Sequence, residues 1–348
     1  MKKLIMFISI CFLTITMGVA ANMQQDTTFR NFMLNKMAQE INEKLTAVSK
    51  SATFLGNRYL MHYQNLSTLK TFNKGDLLSK SDVQENIRAL SFTATQNNQN
   101  LAYRVPYLSS YILNEKKITP ELWREIAAIS EIKAVFPSLY QFFNDGWVYI
   151  TTANELMAIY PYVPLQDAVH NKNPTKSPFY LAADFKNKKV GWSAPYMDLV
   201  GDGLMVTASY PIYDKGKLLA VSSIDITLSN LASSLMLPKA YFGSFFLMTQ
   251  NALAVASSTT HLGEKNLTYF MSTKTITQKK LKGQASKSAL FNSASETLLA
   301  YIQKYEHRDN WYMSFNFKQQ RYGINATLIP ETRWILVNVF NKTAPSEK

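Results

Sequence analysis

The sequence predicts an α+β protein, a long N-terminal helix followed by two copies of a module in which helices flank a central antiparallel sheet. Three observations carry this. Apolar residues recur at three- and four-residue spacing from Phe29 to Tyr59. Pairs of alternating apolar runs separated by turn residues follow, and the pattern of the first pairs returns later in the chain.

The composition permits two ordinary domains in 348 residues, with 47% hydrophobic residues, 19 Tyr and 20 Phe as core material. Lys and Arg exceed Asp and Glu by 37 to 24, a formal charge of +13. The basic residues come in short groups such as Lys186, Lys188, Lys189 and Lys279, Lys280, with no RNA-binding, zinc-finger or arginine-rich pattern, so nucleic acid is not an expected partner. The sole cysteine, Cys11, lies in the apolar N-terminal segment, which excludes disulfides and thiolate metal sites from the folded part. None of His62, His170, His261 and His307 has a metal-ligand spacing, and neither a nucleophile elbow nor a phosphate loop occurs. No enzyme, metal or cofactor is expected.

Residues 1–21 read as an export signal or a membrane anchor. Met1-Lys2-Lys3 is a short positive region, Leu4 to Thr16 is nearly unbroken apolar sequence, and Gly18-Val19-Ala20-Ala21 offers small residues for cleavage. The apolar run is also at the lower limit for a spanning helix. Either way the body is expected outside the cytoplasm, in the periplasm or on the outer face of the inner membrane. The divisions that follow are a long helix over 22–62, a first module over 63–237, a second over 238–342 and a tail over 343–348.

The long helix carries Phe29, Met33, Met37, Ile41, Leu45, Val48, Ala52, Leu55 and Tyr59 on one stripe, which suits a spine or a dimer seam. Asp76 to Gln96 reads as a second helix. A third is expected from Pro120 to Ala134, with Thr119 as cap, Pro120 in the first position and Pro137 as its end. Strands are expected from about Gln141, with GWVYITTANELMAIYP folding back at Ala153-Asn154-Glu155. A polar loop spans Tyr162 to Ser177, a short helix or turn Phe179 to Phe185, and a strand start Gly191 to Tyr196. Leu204 to Tyr213 and Leu218 to Thr227 form a hairpin about Asp214-Lys215-Gly216, and Leu228 to Met236 is short and helical. In the second copy Ser244 to Ser258 echoes the first strand pair and Tyr322 to Phe340 the later hairpin. Between them Ser293 to Glu306 is helical, with Ser293 and Glu296 as a capping box.

The chemistry concentrates between Asn173 and Leu228. Aromatics (Phe179, Tyr180, Trp192, Tyr196, Tyr210, Tyr213) stand near two carboxylates, Asp198 and Asp225. Asp225 interrupts the strand AVSSIDIT, where an unpaired charge is costly, and an aromatic cup makes a cationic ligand a suitable partner. Each residue has a plainer reading. Asp225 can accept hydrogen bonds inside the sheet, Asp198 can form a turn, Tyr180 and Tyr196 can be core residues, and Trp192 can brace a wall. In the second copy the position of Asp225 falls near Asn338 or Phe340.

Phe179-Tyr180, Trp192-Ser193-Ala194-Pro195-Tyr196, Val206-Thr207-Ala208-Ser209-Tyr210-Pro211 and Ile224-Asp225-Ile226 resemble the double Cache (PAS-like) extracellular sensor domain of bacterial chemoreceptors and sensor histidine kinases. The resemblance runs from about Thr27 to Phe340. It implies two tandem PAS-like modules, the first (membrane-distal) holding a small ligand and the second (membrane-proximal) passing the signal on. Members that bind amino acids hold the ammonium with residues that match Tyr196, Asp198 and Asp225. Their aromatic pair matches Phe179-Tyr180, but their carboxylate-clamping arginine falls on Ser177, with Lys176 beside it. Without that fork, an aromatic cup with two acids favours a simple amine, a quaternary ammonium or a polyamine over an α-amino acid. The expected ligand set is Asp225, Tyr196, Asp198, Tyr180, Phe179, Trp192, Tyr210 and Ser177. The expected partners are a small molecule, a second copy through the long helix and a membrane signalling protein. The alternative is an exported scaffold with a vestigial pocket.

Overall fold

The computed structural model describes residues 27–66, 82–84, 87–89, 109–113, 119–163, 173–198, 203–235, 243–251, 254–257, 293–294, 296–302 and 310–342. The signal or anchor expected at 1–21, and parts of the polar loop from Tyr162 to Ser177, lie outside them. The α+β expectation holds: a long helix and two separate antiparallel sheets. The chain divides into two compact units, one of Lys44–Asn230 and one of Met1–Glu43 with Leu231–Lys348.

Helix α1, Thr27–Asn65, follows from the predicted stripe. Met37, Ile41, Leu45, Val48, Ala52, Leu55 and Tyr59 are all buried. The stripe differs at its start, where Leu34 and Arg30 are buried and Phe29 and Met33 are only partly covered. With 3.6 residues per turn, Leu34 is the position that keeps phase with Met37 and Ile41.

The unit of Lys44–Asn230 is built on a sheet of order β1-β2-β3-β5-β4-β9-β8-β6, with β7 also on β8. The strands are β1 Asp82–Gln84, β2 Ile87–Ala89, β3 Ser109–Leu113, β4 Val148–Thr152, β5 Met157–Tyr160, β6 Gly191–Trp192, β7 Tyr196–Met197, β8 Leu204–Asp214 and β9 Lys217–Thr227. The helix expected over 76–96 is corrected here: β1 pairs with β2 and β2 with β3, so strand pairing at a sheet edge overrides local helix propensity. Helix α2, Pro120–Glu131, begins as predicted, its Leu122 amide donating to the Thr119 hydroxyl at 3.2 Å. Pro137 does not end it. Pro137 lies in the first turn of a further helix, α3 Val135–Phe143, where a missing N–H costs nothing. Gln141 is therefore helical, and Asn144 ends α3 in the left-handed conformation. The expected strand pair is β4 and β5, and the expected hairpin is β8 and β9. A 3-10 turn at Pro174–Lys176 leads into helix α4, Pro178–Leu181, and helix α5, Leu228–Ser233, follows β9.

Helix α1 packs on one face of this sheet. The Ser222 hydroxyl donates to the Ala52 carbonyl at 2.7 Å, and a Cβ on Gly56 would lie 2.7 Å from that hydroxyl oxygen and 2.9 Å from the Tyr210 ring. Strand alternation then turns Ser223, Asp225, Thr207 and Ser209 to the opposite face.

The second sheet has order β11-β10-β14-β13-β12, from β10 Ser244–Met248, β11 Ala254–Ser257, β12 Asn310–Phe317, β13 Gln320–Ile329 and β14 Trp334–Asn341. Strand β12 has no counterpart in the predicted elements. Residues 296–302 are helical as expected. The capping box is corrected, because Ser293 is itself helical and its carbonyl accepts the Thr297 hydroxyl at 2.7 Å. One face of the sheet carries the apolar core, with Phe246, Met248, Trp311, Met313, Ile324, Ala326, Ile335, Val337 and Val339 packed with Ala294 and Leu298.

Candidate functional site

The site grows from Asp225 on the central strand β9. Its side chain is 2% exposed. The register sets Thr207 of β8 directly opposite, and the Asp225 amide donates to the Trp147 carbonyl at 2.8 Å just before β4. Period-two alternation brings Tyr149 of β4 and Met205, Thr207 and Ser209 of β8 to the same face. Tyr196 of β7 joins them because it pairs with Met205.

Hydroxyl groups converge on a single oxygen. Asp225 Oδ1 accepts from Thr207 Oγ1 at 2.6 Å, from Tyr149 at 2.8 Å and from Tyr196 at 3.3 Å, while the Tyr196 and Thr207 hydroxyls lie 2.7 Å apart. Oδ2 has no hydrogen-bond partner among the described residues. Burial pushes the Asp225 carboxyl up to about 8, against the pull of the Thr207 and Tyr149 hydroxyls and with a further push from Asp198. Burial and the Asp225 charge hold Tyr149 and Tyr196 well above the usual phenol range, so both remain donors.

The backbone approaches this acid closely. Gly146 has φ +58, and a Cβ there would lie 2.6 Å from the Asp225 carbonyl oxygen, so only glycine fits. The following residue, Trp147, donates from Nε1 to Asp198 Oδ2 at 3.3 Å. Asp198 is partly exposed, its amide bonded to the Gly203 carbonyl at 2.8 Å. It forms a rim, with Asp225 as the floor.

Helix α4 supplies the aromatic wall. The Ser209 hydroxyl donates to the Phe179 carbonyl at 2.5 Å and fixes the helix on β8. The Phe179 ring stands edge-on to Tyr149, 5.1 Å between centroids at 84°. Tyr180 is buried beside Phe185, and burial pushes its hydroxyl up to about 12. Phe179, Tyr180, Trp147, Tyr149, Ile159, Val163, Met205 and Val221 form one cluster, with Tyr196 packed on it.

Asp225, Tyr196, Asp198, Phe179 and Tyr180 of the predicted set thus stand around one face. Tyr210 does not. It pairs with Ser222, three positions along β8 from Thr207, and so faces α1 near Gly56. Trp192 pairs with Ala208 and belongs to that same opposite face by register. Ser177 precedes α4, and its carbonyl accepts the Tyr180 and Leu181 amides at 3.1 Å, with no side-chain cap bond. Lys176 is exposed. The residues missed by sequence reasoning are Tyr149, Thr207, Trp147, Gly146 and Ser209. The signal for Thr207 and Ser209 was their two-residue spacing opposite Asp225; for Tyr149 it was the alternation Trp147, Tyr149 in an adjacent strand.

The position expected to match Asp225 in the second copy is corrected by the same geometry. Asn338 stands opposite Asn325 on β13 and Phe245 on β10, and Phe340 shares this face. Arg30 of α1 lies 4.2 Å over the Phe340 ring, so the face is the one turned to α1. Asp225 faces away from α1, and the comparable face of the second sheet is the apolar one.

The family described as methyl-accepting chemotaxis protein-like, first PDC sensor domain, matches residues 148–233. The methyl-accepting chemotaxis protein McpC of Bacillus subtilis (strain 168) is 29% identical over 159 residues, which cover 44% of this chain and 24% of McpC. The match therefore spans about a quarter of that relative's length. Among solved structures, the ligand-binding domain of the Campylobacter jejuni chemoreceptor Tlp3 in complex with L-valine aligns at 12% identity and a TM-score of 0.40, covering 91% of this chain and 98% of that one. The ligand-binding domain of the Pseudomonas fluorescens chemoreceptor CtaA in complex with L-alanine aligns at 17% identity and a TM-score of 0.40, over 62% of this chain and 82% of that one. The segment that resembles the methyl-accepting chemotaxis protein-like first PDC sensor domain, residues 148–233, thus contains Asp225 and its site.

Proposed function

We propose that the chain is the extracytoplasmic sensing part of a bacterial chemotaxis-type signalling system, and that the Asp225 face holds the ammonium group of an amine or an amino-acid-like compound. The observation that supports this is the asymmetry of Asp225, whose Oδ1 takes all the hydroxyl donors while Oδ2 is left for another donor. Asp198 on the rim adds a second negative group, and Phe179, Tyr180 and Tyr149 give the apolar and π surface that an organic cation needs. The module of residues 63–237 is the ligand-binding one in this reading, and the second module relays the signal to a membrane partner. The reading is a receptor, without catalysis. Phe54, 50% exposed, and Met61, 39% exposed, lie one heptad apart on α1 and are the residues through which a second copy would pair.

A second reading is favoured by one observation. Phe179 and Tyr180 are both buried in the apolar cluster, which suits a scaffold whose pocket is closed. Thermal unfolding of the purified chain against a panel of amines and amino acids separates the two. A ligand at a hundred times its Kd stabilises by about 2.7 kcal/mol. The Asp225→Ala variant is expected to lose all such stabilisation. Stabilisation retained in that variant would remove Asp225 from the site, and a panel without any response would favour the scaffold.

A further inference from the structure

Among the described residues the Asp225 carboxylate has no counter-ion: no cationic side chain pairs with it or enters its charge environment. The titratable groups that face it are Tyr149 from β4, Tyr196 from β7 and Asp198 beyond β7; the side chains that α4 brings to the cluster are Phe179 and Tyr180. Two of these are phenols that donate to it, and the third is a like charge. Hydroxyl donors disperse a charge but do not neutralise it, and a buried ion without a partner is far more costly than a buried neutral acid. Oδ2 is the oxygen left without a donor, and hence the one that can carry a proton.

Resting on the ammonium reading of this site, we infer that ligand enters by exchange: the empty site carries a proton on Asp225, and each ammonium bound releases that proton to solvent. The O–H bond at Oδ2 breaks, the proton leaves to water, and an N–H of the ligand donates to the vacated oxygen. The buried site is then neutral overall in both states, as a carboxylic acid when empty and as a carboxylate–ammonium pair when filled. The Thr207 and Tyr149 hydroxyls on Oδ1 serve both states without rearranging. A quaternary ammonium has no N–H to offer Oδ2 and is excluded by the same argument. The raised Asp225 carboxyl, at about 8, places the exchange in the neutral range.

The test is titration calorimetry of the full chain with isobutylamine and with L-valine, each in phosphate and in Tris at neutral pH. Exchange predicts heats that differ between the buffers by the ionisation heat of about one proton per site. It also predicts affinity that rises about tenfold per pH unit up to about pH 8 and then levels. Equal heats in the two buffers would overturn the exchange and leave the ammonium site standing. Absence of binding by either probe would overturn the ammonium reading and the exchange with it. The empty protein gives an independent measurement that needs no ligand: the infrared carbonyl band of a buried carboxylic acid, present at acid pH, lost as pH passes about 8 and absent in Asp225→Asn. A wild-type spectrum without that band at neutral pH overturns the inference.

Discussion

Asp225 has two kinds of neighbour with opposite effects on its proton. Burial favours the neutral acid, and the Thr207 and Tyr149 hydroxyls favour the anion. Because the folded carboxyl is raised above its ordinary value, the folded state binds more protons than the unfolded one between about pH 4 and about pH 8. Stability of the empty protein is therefore expected to fall with rising pH across that window, by up to about 1.4 kcal/mol per unit, and the Asp225→Asn variant should lack this slope. A urea series at several pH values measures it. Removing a donor makes the anion harder to hold, so Tyr149→Phe and Thr207→Val should each move the upper end of the slope to higher pH. A midpoint that fell in either variant would contradict the bonding to Oδ1. The acid itself was legible in the sequence as a charge inside an apolar strand. Its donors were not, because a threonine in a strand is ordinary until the register shows what stands across from it.

Strands and helices carry the next set of consequences. Helix propensity alone makes Gly56→Ala favourable by about 1 kcal/mol. The 2.7 Å approach of a Cβ at Gly56 to the Ser222 hydroxyl reverses the sign, since α1 would have to lift from β8 and β9. A loss of about 1–3 kcal/mol is expected, and chemical denaturation reads it. Gly146→Ala should be worse, because it combines a left-handed backbone with a 2.6 Å contact to backbone that cannot move without Asp225. At this scale the sequence was read well where the pattern was long or the turn chemistry explicit. The stripe on α1, the Thr119 cap and the β8–β9 hairpin were each visible. The errors fell on short elements. Asp82–Gln84 and Ile87–Ala89 are strands through pairing with β3, and Pro137 sits in the first turn of α3, a position no local rule distinguishes from a helix stop.

For the whole molecule, the repeat of a helix-flanked sheet was legible, but the internal comparison of the two copies misled at Asn338. Counting along aligned strands finds a position; which side of the sheet it serves depends on where α1 packs. The second sheet instead presents a different polar problem. Asn325 is fully buried, and neither its amide nitrogen nor its carbonyl oxygen has a partner among the described residues. Replacing an orphaned buried amide by an apolar group of similar shape is expected to be neutral or stabilising by about 1–2 kcal/mol. Asn325→Leu should hold or raise Tm and leave the pH slope of Asp225 unchanged. A marked loss of stability would mean that the amide is bonded, through water, within that sheet.

The hydroxyl of Tyr196 has a single proton and two acceptors, Thr207 Oγ1 at 2.7 Å and Asp225 Oδ1 at 3.3 Å. A neutral Asp225 leaves the nearer oxygen as the better acceptor, and an ionised one competes for the same proton. Occupancy is thereby recorded in the direction of one O–H bond, with no backbone atom displaced. Neutron diffraction from deuterated crystals, empty and filled, should find that deuteron turned from one acceptor to the other.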